Sequence, residues 1–331
     1  MKTIFSVLTC VIFVFVGLPL NAQQSNSVKE KVIRFDDTRN FNWGSDFEEV
    51  NIVSSVDRAI QKAFIYKSKS TIKKPLVISL HTWSGDYTQR DSLAELCKQK
   101  DINYIHPDFR GPNKTKEACG SDLVISDIND AIDYAIANSN VDTTKISIIG
   151  VSGGGYVTLC CFMKLKRKIY KYSAWASITD LEAWYNQSKI RGNKYDENIL
   201  KCTCSENSLN IEDARFRSPL YSKTPLTKIG KTKLNIYAGV YDGIQGSVPF
   251  SHSINFYNKI LKDLGVKDQS KYVSDCEKLH LLEFQNAIGE LGYLGMRKIC
   301  LHKEVDDIKL TIFEGNHEML TQIAFDEILK N

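Results

Sequence analysis

Residues 145–158 read KISIIGVSGGGYVT, in which an apolar run ends at a glycine cluster that contains one serine, Ser152. The run is short and rich in isoleucine, so it predicts a buried strand, and the apolar segment after it has helical spacing. Residues 150–154 fit the pattern G-x-S-x-G at this junction, which is typical of a serine on a sharp strand-to-helix turn. The stretch therefore predicts a nucleophilic Ser152, with the backbone N–H of Gly153 facing a developing oxyanion.

A phosphate-binding loop is the main alternative for the same glycines. Gly150 and Gly155 have the separation of G-x-x-x-x-G-K-[ST], but Tyr156 and Val157 stand where a lysine and a serine or threonine are required. Without the lysine there is no cation for the phosphates, and no G-x-G-x-x-G register fits the stretch either. The sequence therefore favours the nucleophile over a nucleotide site.

Short apolar runs alternate with helical segments along the rest of the chain. The predicted strands are 76–80, 102–105, 146–149, 173–177, 234–238 and 310–313, and the predicted helices are 122–137, 156–166, 251–264 and 319–329. This alternation predicts an α/β fold with a mostly parallel, doubly wound sheet and helices on both faces. Residues 33–66 predict leading strands at an antiparallel edge. Residues 186–225 and 265–305 are less regular and predict insertions near the carboxyl ends of the strands.

A serine nucleophile needs a base that a third group holds in place, and in this fold the chain order is serine, acid, histidine. His317 lies in IFEGNHEML, directly after the last predicted strand, and is the predicted base. Asp242 follows the preceding strand in YAGVYDG and is the predicted acid, with Asp180 as the alternative one strand earlier. His252 is predicted to support the site rather than to act as the base.

The second oxyanion donor should come from the loop after the strand LVISL, which reads His81-Thr82-Trp83-Ser84-Gly85. This loop occupies the place of the HG-x loops of esterases. The backbone N–H of Trp83 is the predicted donor, and its indole is a candidate wall of the pocket. His81 precedes the serine in the chain and is predicted to brace this loop.

Composition excludes several classes of partner and cofactor. The net charge is only +4, and no block of lysine and arginine with interleaved aromatic residues indicates nucleic-acid binding. Cys202-x-Cys204 lacks a second pair at zinc spacing, so no metal is predicted, and the chemistry requires no organic cofactor. Four cysteines in loop-like segments are the candidates for disulfides, without a pairing: Cys119, Cys202, Cys204 and Cys276.

The first residues indicate export. Lys2 precedes an apolar run from Ile4 to Leu20, and Ala22 ends a loose match to a cleavage site. We expect residues 1–22 to be a signal peptide, residues 23–331 to form a single catalytic domain, and the protein to be secreted or periplasmic. No later stretch is apolar enough to predict an integral membrane segment after cleavage.

The segments LHTWSGD, GVSGGG, YAGVYDG and FEGNHE resemble, in order, the oxyanion loop, elbow, acid turn and base turn of the α/β-hydrolases. The segment RSPLYSKTP resembles the corresponding stretch of prolyl-oligopeptidase-like hydrolases. The segments HPDFRGPN, EACGSDL and ITDLEAWY are similar to secreted bacterial carbohydrate esterases that act on pectic polysaccharides. The resemblance implies an α/β-hydrolase fold and a serine hydrolase.

The resulting expectation is a secreted serine esterase that removes methyl or acetyl esters from a pectic polysaccharide or oligosaccharide. Arg110 and Arg217 are predicted substrate contacts, since esterified uronic-acid polymers carry negative charge, and Tyr241 is a third predicted contact. Arg191 lies in the insertion that would cap the pocket. Three alternatives are a serine peptidase acting on short peptides, a lipase, and a non-catalytic binding protein on the same scaffold. The polar residues 186–225 disfavour the apolar lid of a lipase.

Overall fold

The apolar runs of the sequence form the strands of one large sheet in the computed structural model, which describes residues 42–330. The strands are β1 (Glu48–Val53), β2 (Ile60–Tyr66), β3 (Lys74–Leu80), β4 (Asn103–Pro107), β5 (Val141–Val151), β6 (Lys171–Trp175), β7 (Lys233–Gly239), β8 (Tyr293–Leu294), β9 (Arg297–Val305) and β10 (Ile308–Phe313). Their order across the sheet is β1-β2-β4-β3-β5-β6-β7-β10-β9-β8. The predicted signal peptide lies outside the described residues.

The six central strands β4, β3, β5, β6, β7 and β10 run parallel to one another. The outer pairs β1–β2, β2–β4 and β9–β10 are antiparallel. Parallel strands require crossover connections, which place helices over the faces and bury both sides of each strand. The predicted α/β class, with its mostly parallel sheet, is therefore confirmed.

Helices cover both faces of the sheet. They are α1 (Ser92–Gln99), α2 (Asp122–Asn138), α3 (Gly153–Lys164), α4 (Leu181–Arg191), α5 (Tyr195–Cys202), α6 (Ile211–Arg217), α7 (Ser251–Asp263), α8 (Asp275–Phe284) and α9 (Thr321–Leu329). Side chains of β3 alternate between two buried clusters: Leu76 and Ile78 pack with α2, α3 and α7, whereas Val77 packs with α1 and α9. No helix among residues 42–330 combines the length and the apolar character needed to cross a bilayer.

The two predicted insertions have different structures. Residues 186–225 contain most of α4 and all of α5 and α6, and these helices lie after β6 at the carboxyl edge of the sheet. Residues 265–305 were predicted as a second irregular insertion, but they include β9, which pairs with β10 and extends the sheet. The strand was missed because its sequence, RKICLHKEV, interleaves charged and apolar residues and faces solvent on one side.

A disulfide joins Cys119, in the loop before α2, to Cys202, the last residue of α5. Both residues belong to the four predicted disulfide candidates, and the other two, Cys204 and Cys276, are exposed free thiols. The crosslink spans 83 residues, so it ties the first insertion to the loop that follows β4. It restricts the unfolded chain over a long segment.

Replacing Cys202 with serine should lower the free energy of unfolding of the oxidised protein by about 2–4 kcal/mol, because the loop-closure entropy is returned to the unfolded chain. The measurement is the urea midpoint under oxidising conditions. Cys204→Ser is the matched control, since it removes an exposed thiol two residues away and should leave the midpoint unchanged. Equal midpoints for the two variants would refute a stabilising crosslink.

Candidate active site

Ser152 lies between the end of β5 and the first residue of α3, at φ 58° and ψ −120°. This conformation is sparsely populated for residues with a side chain and persists only where the surroundings hold it. Two backbone hydrogen bonds do so: the N–H of Ser152 donates to Trp175 O, and the N–H of Tyr156 donates to Ser152 O, each at 2.9 Å. The predicted elbow is thus present at the carboxyl edge of the sheet.

The predicted acid and base are in direct contact. His317 Nδ1 donates to Asp242 Oδ2 at 2.7 Å, and the Asp242 side chain is fully buried. The second carboxylate oxygen of Asp242 accepts the backbone N–H of Val248 at 3.1 Å. The carboxylate therefore has a fixed orientation, and it holds the imidazole with Nδ1 as the protonated nitrogen.

Gly246 makes this contact sterically possible. A Cβ at Gly246 would come within 2.2 Å of Asp242 Oδ1 and 2.7 Å of the Cβ of His317. Any larger residue would have to displace the acid, the base or both. This role was not predicted from the sequence, although the second glycine of YDGIQGS indicates a close approach in the turn.

The elbow also contacts the loop after β3. A Cβ at Gly153 would lie 2.2 Å from Trp83 N and 2.4 Å from Trp83 Cα, so the peptide groups of these two residues pack against each other. The loop is held by Gln89, whose Oε1 accepts the N–H of Thr82 at 2.8 Å. His81 is buried and stacks on Phe109 at 3.7 Å between ring centroids, which agrees with its predicted bracing role.

The indole of Trp83 packs against the first insertion. Its Nε1 donates to Asn198 Oδ1 on α5 at 3.2 Å, and its ring meets that of Trp184 on α4 edge to face, with centroids 4.7 Å apart. The side chain is 2% exposed. Trp83 therefore joins the loop after β3 to the insertion that covers this edge of the sheet.

Two predicted substrate contacts, Arg110 and Arg217, form ion pairs and hydrogen bonds within the protein. The guanidinium of Arg110 pairs with Asp57 and Asp127, and hydrogen bonding to Asp57 raises its pKa above the usual range. Arg217 donates to Asp213 Oδ2 at 2.9 Å and to the carbonyl of Lys116 at 2.9 Å. Both guanidinium groups thus tie loops to helices, because buried guanidinium groups are retained where carboxylates and carbonyls satisfy them, and their substrate contacts stay predictions.

Tyr241 and Arg191 lie beside the predicted acid. Tyr241 directly precedes Asp242 in a half-buried position, burial raises the pKa of its phenol, and its substrate contact stays a prediction. Arg191 is exposed, and its guanidinium donates to the carbonyls of Gly243 and Ser247 in the same loop.

The alternative acid, Asp180, instead caps α4. Its carboxylate accepts the N–H of Ala183 and the hydroxyl of Tyr221, each at 3.0 Å. His252, which was predicted to support the site, is fully buried, and its Nδ1 accepts the N–H of Thr179 at 3.2 Å. Burial, and then the nearby charge of Arg191, lowers the pKa of His252 to about 4.

An elbow serine, a histidine bonded to a buried carboxylate and two packed backbone peptides are the parts that serine acyl transfer requires. Residues 42–330 contain no cluster of histidine, cysteine and acidic side chains that could hold a metal ion. The arrangement is therefore that of a serine hydrolase.

A sequence model of the prolyl oligopeptidase family matches residues 90–288. The chain belongs to this family. No curated protein matches it in sequence. Membership confirms the predicted α/β-hydrolase fold and the serine hydrolase class.

Solved structures of peptidases share the family fold. Acylaminoacyl peptidase of Pyrococcus horikoshii aligns with a TM-score of 0.54 at 21% identity, over 66% of this chain and 35% of that one. A puromycin-hydrolyzing peptidase of Mycobacterium tuberculosis aligns with a TM-score of 0.53 at 15% identity, over 66% of this chain and 34% of that one. The chain thus aligns with only about a third of the length of these relatives.

The expectation of a pectic esterase is wrong. The family and the similar structures are peptidases, which corresponds to the alternative that the sequence analysis left open. The error has a chemical cause. Elbow, acid and base turns specify acyl transfer through serine, but they are shared by enzymes that cleave esters and amides.

The low pKa of His252 predicts a stability that depends on pH. The unfolded histidine binds a proton near pH 6.5, whereas the folded one stays neutral down to about pH 4. The stability from the neutral, buried ring is therefore complete above about pH 6.5 and is lost progressively as the pH falls from about 6.5 to about 4. Between pH 7 and pH 4, the unfolding free energy of His252→Gln should fall by roughly 2–3 kcal/mol less than that of the wild type.

Urea unfolding at several pH values measures this difference. His302→Gln is the control, because it removes an exposed histidine on β9 and should keep the pH dependence of the wild type. An identical pH dependence for the wild type and His252→Gln would contradict the prediction.

Proposed function

We propose that the protein is a serine peptidase that hydrolyses short peptides, with Ser152 as the nucleophile, His317 as the base and Asp242 as the acid that orients it. The observation that carries the proposal is the contact between His317 and a buried Asp242 in a chain of the prolyl oligopeptidase family. A non-catalytic binding protein would have no chemical need to keep the elbow serine, acid and base together.

In the proposed mechanism, Ser152 Oγ attacks the scissile carbonyl while His317 Nε2 accepts the hydroxyl proton. Asp242 stabilises the imidazolium that forms. The N–H groups of Gly153 and Trp83 donate to the tetrahedral oxyanion. The same proton then passes from His317 to the leaving amine as the C–N bond breaks. Water, deprotonated by His317, finally releases the acyl group from Ser152 and restores the hydroxyl.

The first insertion supports a preference for short substrates. It packs onto the loop after β3 through Trp184 and Asn198, and the disulfide Cys119–Cys202 ties it to the loop before α2. When this edge of the sheet is covered in this way, the site admits the end of a peptide chain more easily than a segment of a folded protein. The similar structure from Pyrococcus horikoshii is an acylaminoacyl peptidase, so peptides with an acylated amino terminus are the first substrates to compare with free ones.

We also propose that the protein is exported, with residues 1–22 removed as a signal peptide. The apolar run at Ile4–Leu20 and the disulfide Cys119–Cys202 support this proposal, since disulfides persist in oxidising compartments. Amino-terminal sequencing of the protein purified from the producing cells would test it.

A panel of fluorogenic peptides, each with a free and an acetylated amino terminus, tests the peptidase proposal. The wild type should cleave members of the panel, and Ser152→Ala should lower kcat by at least about 10³-fold because the nucleophile is removed. Asp242→Asn should reduce kcat by up to about 10⁴-fold, since the imidazole is held in the wrong tautomer.

Ser55→Ala is the control, because Ser55 is an exposed serine in the turn between β1 and β2. It should retain full activity. Peptide cleavage that survives in Ser152→Ala would refute the assigned nucleophile. A wild type that binds peptides from the panel without cleaving any would favour the binding protein.

A further inference from the structure

Helix α4 of the first insertion directs three side chains at the part of the fold that carries the acid. Trp184, Gln187 and Arg191 are spaced i, i+3 and i+7, so they lie on one face of the helix. Two of them contact residues 240–248, which we call the acid loop. The third, Gln187, accepts a hydrogen bond from His252 Nε2 on α7 at 3.0 Å.

The contacts of Trp184 and Arg191 converge on one carbonyl of the acid loop. The indole Nε1 of Trp184 donates to Ser247 O at 2.9 Å, and Nη1 of Arg191 donates to the same oxygen at 3.3 Å. Nη2 of Arg191 donates to Gly243 O at 2.5 Å. Helix α4 therefore holds the acid loop near both of its ends.

These contacts lie one residue from the group that fixes the carboxylate. Ser247 is followed by Val248, whose N–H donates to Asp242 Oδ1 at 3.1 Å. The other oxygen of Asp242 accepts from His317 Nδ1 at 2.7 Å. A shift of the Ser247 carbonyl would move the Val248 peptide and with it the direction of the carboxylate toward the imidazole.

The opposite side of the same indole meets the loop after β3. Trp184 contacts Trp83 edge to face, with centroids 4.7 Å apart and an interplanar angle of 76°. Tyr195 on α5 stacks on Trp184 at 4.8 Å and holds its ring. Trp184 is 1% exposed, so its ring position is set by these neighbours. One side chain thus contacts both the acid loop and the residue proposed as the oxyanion donor.

We infer that Trp184, assisted by Arg191, is a positioning residue for the reaction: it fixes the acid loop relative to the oxyanion loop. The inference rests on the proposed roles of Ser152, Asp242 and His317. It gives the insertion a part in the chemistry in addition to covering the site. Trp184 acts through Asp242 and Trp83 and forms no bond to the reacting atoms.

Trp184→Phe removes the indole N–H and keeps an aromatic ring in the cluster. The rate at which a fluorophosphonate labels Ser152 should fall by about tenfold, in line with the loss of one hydrogen bond at an oriented group. For peptides, kcat should fall while KM stays within about twofold, because the lost interaction acts on the transition state. The low-field proton resonance of the His317–Asp242 hydrogen bond should shift or broaden.

Tyr257→Phe is the matched control, because Tyr257 is also buried and its hydroxyl also donates to a backbone carbonyl, that of Lys271, at 3.3 Å, outside the acid loop and the loop after β3. Its loss should affect stability alone, with wild-type labelling and an unchanged proton resonance. Equal labelling rates and unshifted resonances in both variants would overturn the inference.

Arg191→Gln keeps the test informative if Trp184→Phe does not fold, since Arg191 is exposed. The substitution should reduce the rate of labelling by about threefold. Arg215→Gln is its control, because it removes an exposed arginine paired with Glu182 in the same insertion, and it should leave the rate of labelling unchanged. Equal labelling of Arg191→Gln and wild type would count against the inference. Failure of the wild type itself to be labelled at Ser152 would instead refute the proposed function.

Discussion

The structure depends on the close packing of two peptide groups, those of Gly153 and Trp83. A Cβ at Gly153 would lie 2.2 Å from Trp83 N, so the two peptides can pack this closely only because residue 153 has no side chain. The contact directly follows Ser152, which stands at φ 58° immediately before the first residue of α3. The strained turn, the loop after β3 and the end of β5 therefore form one unit.

The acid and base reach this unit from other strands. Parallel strands bring their carboxyl ends to one edge, so loops after β7 and β10 can place Asp242 against His317 without a contact between the strands' own side chains. Loops alone would leave such a pair mobile. Helix α4 adds hydrogen bonds to the acid loop from a buried indole and a guanidinium. The first insertion thus restrains the acid loop, which the strands of the α/β-hydrolase fold do not hold by themselves.

The sequence predicts the central strands and Ser152, Asp242 and His317 because each follows from local patterns: short apolar runs, a glycine motif and turns after strands. It does not predict the partners of Arg110 or the contacts of Trp184, since both arise from residues distant in the chain. Strand β9 was missed because its sequence interleaves charged and apolar residues, and its conformation is set by the pairing with β10. The same motifs serve the cleavage of amides and of esters, so they do not predict which of the two bonds is hydrolysed.

The most direct test of the account is the site of alkylation by a peptidyl chloromethyl ketone, mapped by mass spectrometry of the digested protein. The account predicts rapid alkylation of His317, which should disappear in Ser152→Ala because the serine holds the reagent's carbonyl next to the imidazole. Slow alkylation of the exposed thiols Cys204 and Cys276 should be the same in both proteins. Rapid alkylation of His252 instead of His317, or modification of His317 that is equally fast without Ser152, would contradict the account.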